Sequence, residues 1–189
     1  MSRRRRRARV LRSSLVFRGP VFRVRRDLVA EPRPDGGRRG PPVVRDIIEH
    51  QGSVVVLPVL GDGRVLLVRQ YRHATGGFLW ELVAGGIDAE ETPPRAARRE
   101  LEEETGYVAR RLERLASFFP TPGILSEVMH LYRATRLRAG PARPEEDEAL
   151  EVRAFGRREL ERMLWRGRLQ DGKTLLGLLL HWGGGRRQR

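Results

Sequence analysis

Apolar and polar positions alternate over residues 15–28, where Val21-Phe22-Arg23-Val24-Arg25 sets apolar beside basic side chains in the period-two pattern of an amphipathic strand or hairpin. Residues 31–42, with Pro32, Pro34, Gly36, Gly37, Pro41 and Pro42, read as turn and loop. Strands are expected next at residues 43–49, 53–60 and 64–70, the last two joined by Gly61-Asp62-Gly63, because an Asp-Gly step between β-branched runs marks a hairpin. Another strand over residues 78–83 runs into Ala84-Gly85-Gly86. A helix follows over residues 93–105, with Thr92 as N-cap, Pro93 in the first helical position and Gly106 as the stop. Strands at residues 116–119, 128–134 and 150–154 and helices at residues 157–166 and 172–181 complete the pattern. Strands interleaved with helices make the fold class α/β.

A chain of 189 residues can bury one substantial core. Hydrophobic content of 39% and charged content of 33% suit a globular protein. The net charge of +14 attracts polyanions in general, yet Lys173 is the only lysine, and so pervasive an arginine usage fits a solvated basic surface without a nucleic-acid partner. With no cysteine there is no disulfide, thiolate metal site or cysteine nucleophile, so any metal must be held by oxygen or imidazole. No apolar run approaches the length of a membrane span. The basic N-terminus is not followed by a long apolar segment, which makes a cytoplasmic protein the expectation. Residues 1–14 and 183–189 are expected to be disordered tails.

The chemistry concentrates on the helix over residues 93–105. Glu100, Glu103 and Glu104, at i, i+3 and i+4, line up three carboxylates that repel unless solvent or a cation separates them. By themselves they fit a salt-bridged surface face as well as a site for Mg²⁺ or Mn²⁺. Their surroundings decide between the two. From Gly85 to Tyr107 the chain has Gly85, five residues, Glu91, seven residues, then Arg99-Glu100-Leu101-Glu102-Glu103-Glu104-Thr105-Gly106-Tyr107. This resembles the Nudix box at every defined position; Tyr107 stands where an aliphatic residue is more usual. The resemblance implies an α/β/α sandwich around a mixed sheet and hydrolysis of a diphosphate bridge with two or three Mg²⁺ ions, Mn²⁺ being possible. It also implies metal ligation by Glu100, Glu103, Glu104 and the Ala84 carbonyl, with Glu103 also among the catalytic groups. Gly85, Glu91, Arg99 and Gly106 would shape the motif, Arg99 orienting the carboxylates and Glu91 either bracing the loop or facing the helix N-terminus.

Residues outside the box bear on the substrate. Pro122, sixteen residues after Gly106 and followed by Gly123 and Glu127, looks like the mark of the ADP-ribose pyrophosphatase branch, although Pro-Gly is also an ordinary turn. Gln70-Tyr71-Arg72 and Trp80-Glu81-Leu82-Val83-Ala84 are similar to the approach to the box in ADP-ribose and sugar-nucleotide hydrolases. By that resemblance Arg72 would contact the substrate, with Glu81, Pro122 and Gly123 also at the substrate site. The N-terminal strands would form a homodimer and contribute Arg45 and Glu49 as substrate contacts. A general base is expected from the acidic stretch over residues 144–152, Glu148 first and Glu146 second; a solvated loop fits that stretch equally.

The expected organisation is a β extension for dimerisation over residues 15–42 and a hydrolase domain over residues 43–182. The expected reaction is ADP-ribose to AMP and ribose 5-phosphate. The alternatives are another nucleoside diphosphate derivative, such as a sugar nucleotide, NADH or an RNA 5′ end, and a non-catalytic arginine-rich RNA binder.

Overall fold

A computed structural model describes residues 7–140 and 150–183, arranged as two compact units. The first comprises Met1–His50 and Thr121–Glu127. Its antiparallel sheet has the order β1-β2-β3, from β1 (Arg9–Arg18), β2 (Arg23–Ala30) and β3 (Val43–Glu49). β1 starts inside the stretch expected to be a disordered tail. Every one of its residues is exposed, so side-chain burial leaves no signal in the sequence; backbone pairing with β2, from Arg9 opposite Ala30 to Arg18 opposite Arg23, is what orders it. The other edge of this sheet holds the Thr121–Glu127 segment, through Ile48 N–H to the Ile124 carbonyl at 2.8 Å and Ser126 N–H to the Ile48 carbonyl at 2.9 Å. β3 therefore belongs to the first unit. The boundary falls after His50, not after residue 42, because β3 pairs with β2 along its length.

The second unit comprises Gln51–Pro120 and Val128–Arg189. Its mixed sheet has the order β7-β4-β9-β8, built from β4 (Ser53–Pro58), β7 (Val83–Gly86), β8 (Tyr107–Phe118) and β9 (Met129–Ala139). Only β4 and β9 are parallel. A second, antiparallel sheet has the order β10-β5-β6, from β5 (Val65–Arg72), β6 (Gly77–Glu81) and β10 (Glu151–Phe155). The helices are α1 (Pro93–Thr105), α2 (Arg157–Trp165) and α3 (Gly172–Gly183).

β4 explains the layering. All six of its residues are buried, so its sequence reads as an unbroken apolar run. Val54 and Val56 turn to one face, where they meet Ala96, Ala97 and Leu101 of α1. Val55 and Leu57 turn to the other, where they meet Phe155, Leu160 of α2 and Leu178 of α3. Helices thus cover both faces, as expected for an α/β/α sandwich. Each fully buried Leu or Val contributes about 1.5–3 kcal/mol relative to exposure. Gly177 lets α3 approach closely, since a Cβ there would strike the Leu82 side chain.

Candidate active site

Helix α1 begins at Pro93 in its first turn and ends at Gly106, whose left-handed φ of 71° an alanine would resist and whose N–H bonds the Glu102 carbonyl. Thr92 has the extended backbone of an N-cap but makes no side-chain cap bond, which departs from the sequence expectation. The buried face of α1 carries Ala96, Ala97, Leu101, Glu104 and Thr105. A carboxylate in that company is unusual, and Glu104 is only 5% exposed. Its Oε1 accepts from the Ala84 N–H at 3.4 Å, which ties the end of α1 to β7.

β7 lies against β4, Gly85 opposite Val54 and Ala84 opposite Val55. Gly85 is required here for space: a Cβ would overlap the carboxyl group of Glu100. Glu100 is consequently pressed against bare backbone.

Arg99 organises the loop between β7 and α1. Its Nε and Nη2 donate to the two oxygens of Glu91 at 3.3 and 3.0 Å, and Nη2 also donates to the Gly86 carbonyl at 2.9 Å. Its Nη1 donates to Glu100 at 2.7 Å and to Glu103 at 3.1 Å. The hydrogen bond to Glu91 is the largest of the influences that raise the Arg99 pKa above its ordinary value, with Glu100 and Glu103 adding to it. Glu91 also accepts from the Asp88 N–H at 3.4 Å, so it braces the loop. Among the described residues no three His, Asp or Glu side chains converge as metal ligands. Arg99 holds Glu100 and Glu103 by hydrogen bonds instead.

A second charged group lies where β5, β6 and α3 meet. Arg72 and Glu81 form a bidentate pair at 2.8 Å in both contacts, with Glu81 2% exposed and Arg72 40% exposed. Lys173 also donates to Glu81 Oε2 and to Asp171 at 2.9 Å. Burial pushes the Glu81 carboxyl up, but Arg72 and Lys173 together outweigh it and hold the group below the ordinary carboxylate range. The Arg72 pKa is raised, first by its bond to Glu81 and further by the charges of Glu104 and Asp171, so of the α1 carboxylates Glu104 is the one whose field reaches Arg72.

The structure thus draws Ala84, Gly85, Glu91, Arg99, Glu100, Glu103 and Glu104 together, with Arg72 and Glu81 beside them in the same unit. Arg45 and Glu49 are engaged within the first unit, Arg45 with Glu31 at 2.8 Å and Glu49 with Arg23 and Arg25 at 2.8 Å each. Pro122 and Gly123 lie on the segment that pairs with β3. Glu146 and Glu148 fall outside the described residues. Sequence reasoning missed Asp171, Lys173 and Thr174. The available signals were a lone lysine in an arginine-rich chain and an Asp three residues before a Thr at a helix start.

A family model described as "NUDIX domain" matches residues 49–176. An "ADP-ribose pyrophosphatase" of Bacillus subtilis is 34% identical over 132 residues, covering 69% of this chain and 71% of that protein. An "ADP-ribose pyrophosphatase" of Mycobacterium tuberculosis is 34% identical over 171 residues, covering 88% of this chain and 79% of its own length. In fold, the chain is similar to a solved structure described as "Crystal structure of ADP compounds hydrolase", with a TM-score of 0.79, 22% identity and 100% of both chains covered.

Proposed function

This chain belongs to the NUDIX family, and on that premise we propose that it hydrolyses the diphosphate bridge of ADP-ribose to give AMP and ribose 5-phosphate. The observation that carries the reading is the pairing of two opposite charge sets in one unit: the carboxylates of α1 and, within the field of Glu104, the Arg72 guanidinium. A diphosphate with a bound cation needs both. The similarity to ADP-ribose pyrophosphatases supports the choice of substrate.

The donor chemistry, though not converged on one point among the described residues because Arg99 holds Glu100 and Glu103, suits a hard divalent cation, for which we propose Mg²⁺ in two or three copies. The donors are oxygens from Glu100, Glu103, Glu104 and the Ala84 carbonyl. Gly85 provides a cradle that a Cβ would fill, directly against Glu100. Bound there, the cation would neutralise diphosphate charge and lower the pKa of a water molecule.

The chain's own residues perform the remaining work. Arg99 holds Glu100 and Glu103 in place, and the loop keeps its shape because Glu91 and the Gly86 carbonyl anchor the other edge of the guanidinium. Arg72 binds a phosphate oxygen of the substrate through a guanidinium that Glu81 has already oriented. Glu103 takes part in catalysis, and Glu148, with Glu146 behind it, supplies the base that accepts the proton of the attacking water. We also propose a cytoplasmic homodimer, formed through the N-terminal strands, and substrate contacts from Arg45, Glu49, Pro122 and Gly123. β1 supports the homodimer, because among the described residues its outer edge has no partner strand, and Val10, Leu15, Val16 and Phe17 of this strand are exposed.

The reading is tested by hydrolysis of a panel containing ADP-ribose, sugar nucleotides, NADH and 5′-triphosphorylated RNA with Mg²⁺, wild type against Glu104→Gln. ADP-ribose should lead, and Glu104→Gln should abolish turnover. A wild type inactive on the whole panel, or an undiminished Glu104→Gln, would sink it.

A further inference from the structure

Lys173 is the only lysine among the 38 Lys and Arg residues of the chain, and it is one of the least exposed cations, with 12% of its side chain accessible. It bridges Glu81 and Asp171 at the start of α3. Asp171 caps that helix, accepting from the Thr174 N–H at 2.9 Å and from the Thr174 hydroxyl at 2.5 Å. The same hydroxyl accepts from the Leu82 N–H at 2.7 Å. The first turn of α3 therefore grips both Glu81 and Leu82, the two residues that lead from β6 into Val83–Gly86.

We propose that Lys173 is a positioning residue for Arg72, acting through Glu81; the proposal rests on the reading of Arg72 as the diphosphate-binding group. Glu81 Oε2 accepts from Arg72 Nη2 on one side and from Lys173 on the other. A carboxylate with one cationic partner moves with that partner. One held from α3 as well has a position of its own, and it imposes that position on the guanidinium. Arg72 is then fixed by its Nε and Nη2 edge, while its Nη1 has no protein partner among the described residues and is left for an anionic ligand. A lysine suits the place because a compact ammonium fits between two carboxylates where a planar guanidinium needs more room. Removing it would leave the buried Glu81 charge with Arg72 as its sole counter-ion, drawing that guanidinium inward.

The test is a double-mutant cycle on the full chain with wild type, Lys173→Met, Arg72→Gln and the double variant. ADP-ribose binding is measured by calorimetry with divalent cation withheld, and KM and kcat are then measured with Mg²⁺. Lys173→Met should weaken binding and raise KM by about ten-fold, with a smaller change in kcat. In the Arg72→Gln background it should change neither binding nor KM by more than about two-fold. Should Lys173→Met fail to fold, Lys173→Gln, which can still donate to Glu81, carries the same comparison with a smaller loss. Equal losses in both backgrounds would show a merely structural lysine and overturn the proposal. So would unaltered affinity in Lys173→Met, or an Arg72→Gln protein that binds ADP-ribose like wild type. Binding that follows this pattern in a protein that hydrolyses nothing would instead be the failure of the hydrolase reading.

Discussion

A Cβ on Gly85 would collide with the carboxyl carbon of Glu100, 2.0 Å away. The backbone at Gly85 is not left-handed, so an alanine there meets no conformational barrier of its own. Its whole cost is the displacement of Glu100. Gly85→Ala should lower kcat about 10–100-fold and shift the Mg²⁺ titration of activity to higher concentration. An unchanged titration would mean that Glu100 is not a cation ligand.

The Glu91 carboxyl is held below its ordinary value, chiefly by the hydrogen bond from Arg99 and against some desolvation. A carboxyl whose pKa falls on folding contributes stability that is fully present above its unfolded value, about 4.3, and lost as pH drops through the folded value. Glu91→Gln should therefore melt below wild type at pH 7, and the gap should close below about pH 4. Thermal melts across that range check it; a gap that stays constant would mean that the charge of Glu91 contributes nothing.

Thr174 is fully buried and serves two partners, Leu82 and Asp171. Thr174→Val keeps the volume and leaves the Leu82 amide without an acceptor, at a cost of about 1–3 kcal/mol. Urea unfolding should show that loss as a lower midpoint with an unchanged slope.

Leu101 is fully buried on the inner face of α1, one position from Glu100 and three from Glu104. Leu101→Ala should cost about 2–5 kcal/mol of stability. Because the same turn carries the carboxylates, activity should fall at temperatures well below the melting point.

Cation binding should also be visible without turnover. At ten times its Kd, Mg²⁺ adds about 1.4 kcal/mol to the folded state, a rise of roughly 3–6 °C in Tm for a chain of this size. Glu104→Gln should lose most of that rise relative to a chelated control. An equal rise in both proteins would put the ion elsewhere.

What the sequence made legible follows where side chains did the specifying. Helix α1 was expected at residues 93–105 and lies there, since Pro93 and Gly106 punctuate it and its apolar face is periodic. The turn at Asp62-Gly63 was legible, but the hairpin expected there is not formed: only Val59 bridges Val65, and β4 and β5, with Val54–Leu57 and Val65–Val68 buried, then part into different sheets. Arg99 does pair with the carboxylates, which the motif made legible. Features made by backbone or by distant partners were not. β1 is ordered by pairing alone with no buried side chain. The strand over residues 78–83 divides at Leu82, whose N–H turns to Thr174 rather than to a neighbouring strand, a partner 92 residues away. β8 begins directly after Gly106, earlier than expected, because the exposed pair Arg110 and Arg111, on opposite faces of the strand, breaks the apolar–polar alternation. Lys173 and Glu81 are likewise separated by 92 residues, and no local pattern joins them.

The first unit is discontinuous in the chain, and this sets an order of events at biosynthesis. β3 leaves the ribosome well before the segment that completes its edge; the His50 N–H bonds the Ser126 hydroxyl across 76 residues at 3.2 Å. At about 5–20 residues per second, that interval lasts roughly 4–15 s. Throughout it the edge of β3 offers the open hydrogen-bonding groups of Ile48, and most of the second unit's mixed sheet must be translated before Thr121–Glu127 arrives to close them. A nascent chain stalled anywhere between residues 51 and 120 therefore carries an unfinished β-sheet, which makes this stretch of translation the one most exposed to chaperone capture and to pairing between neighbouring nascent chains.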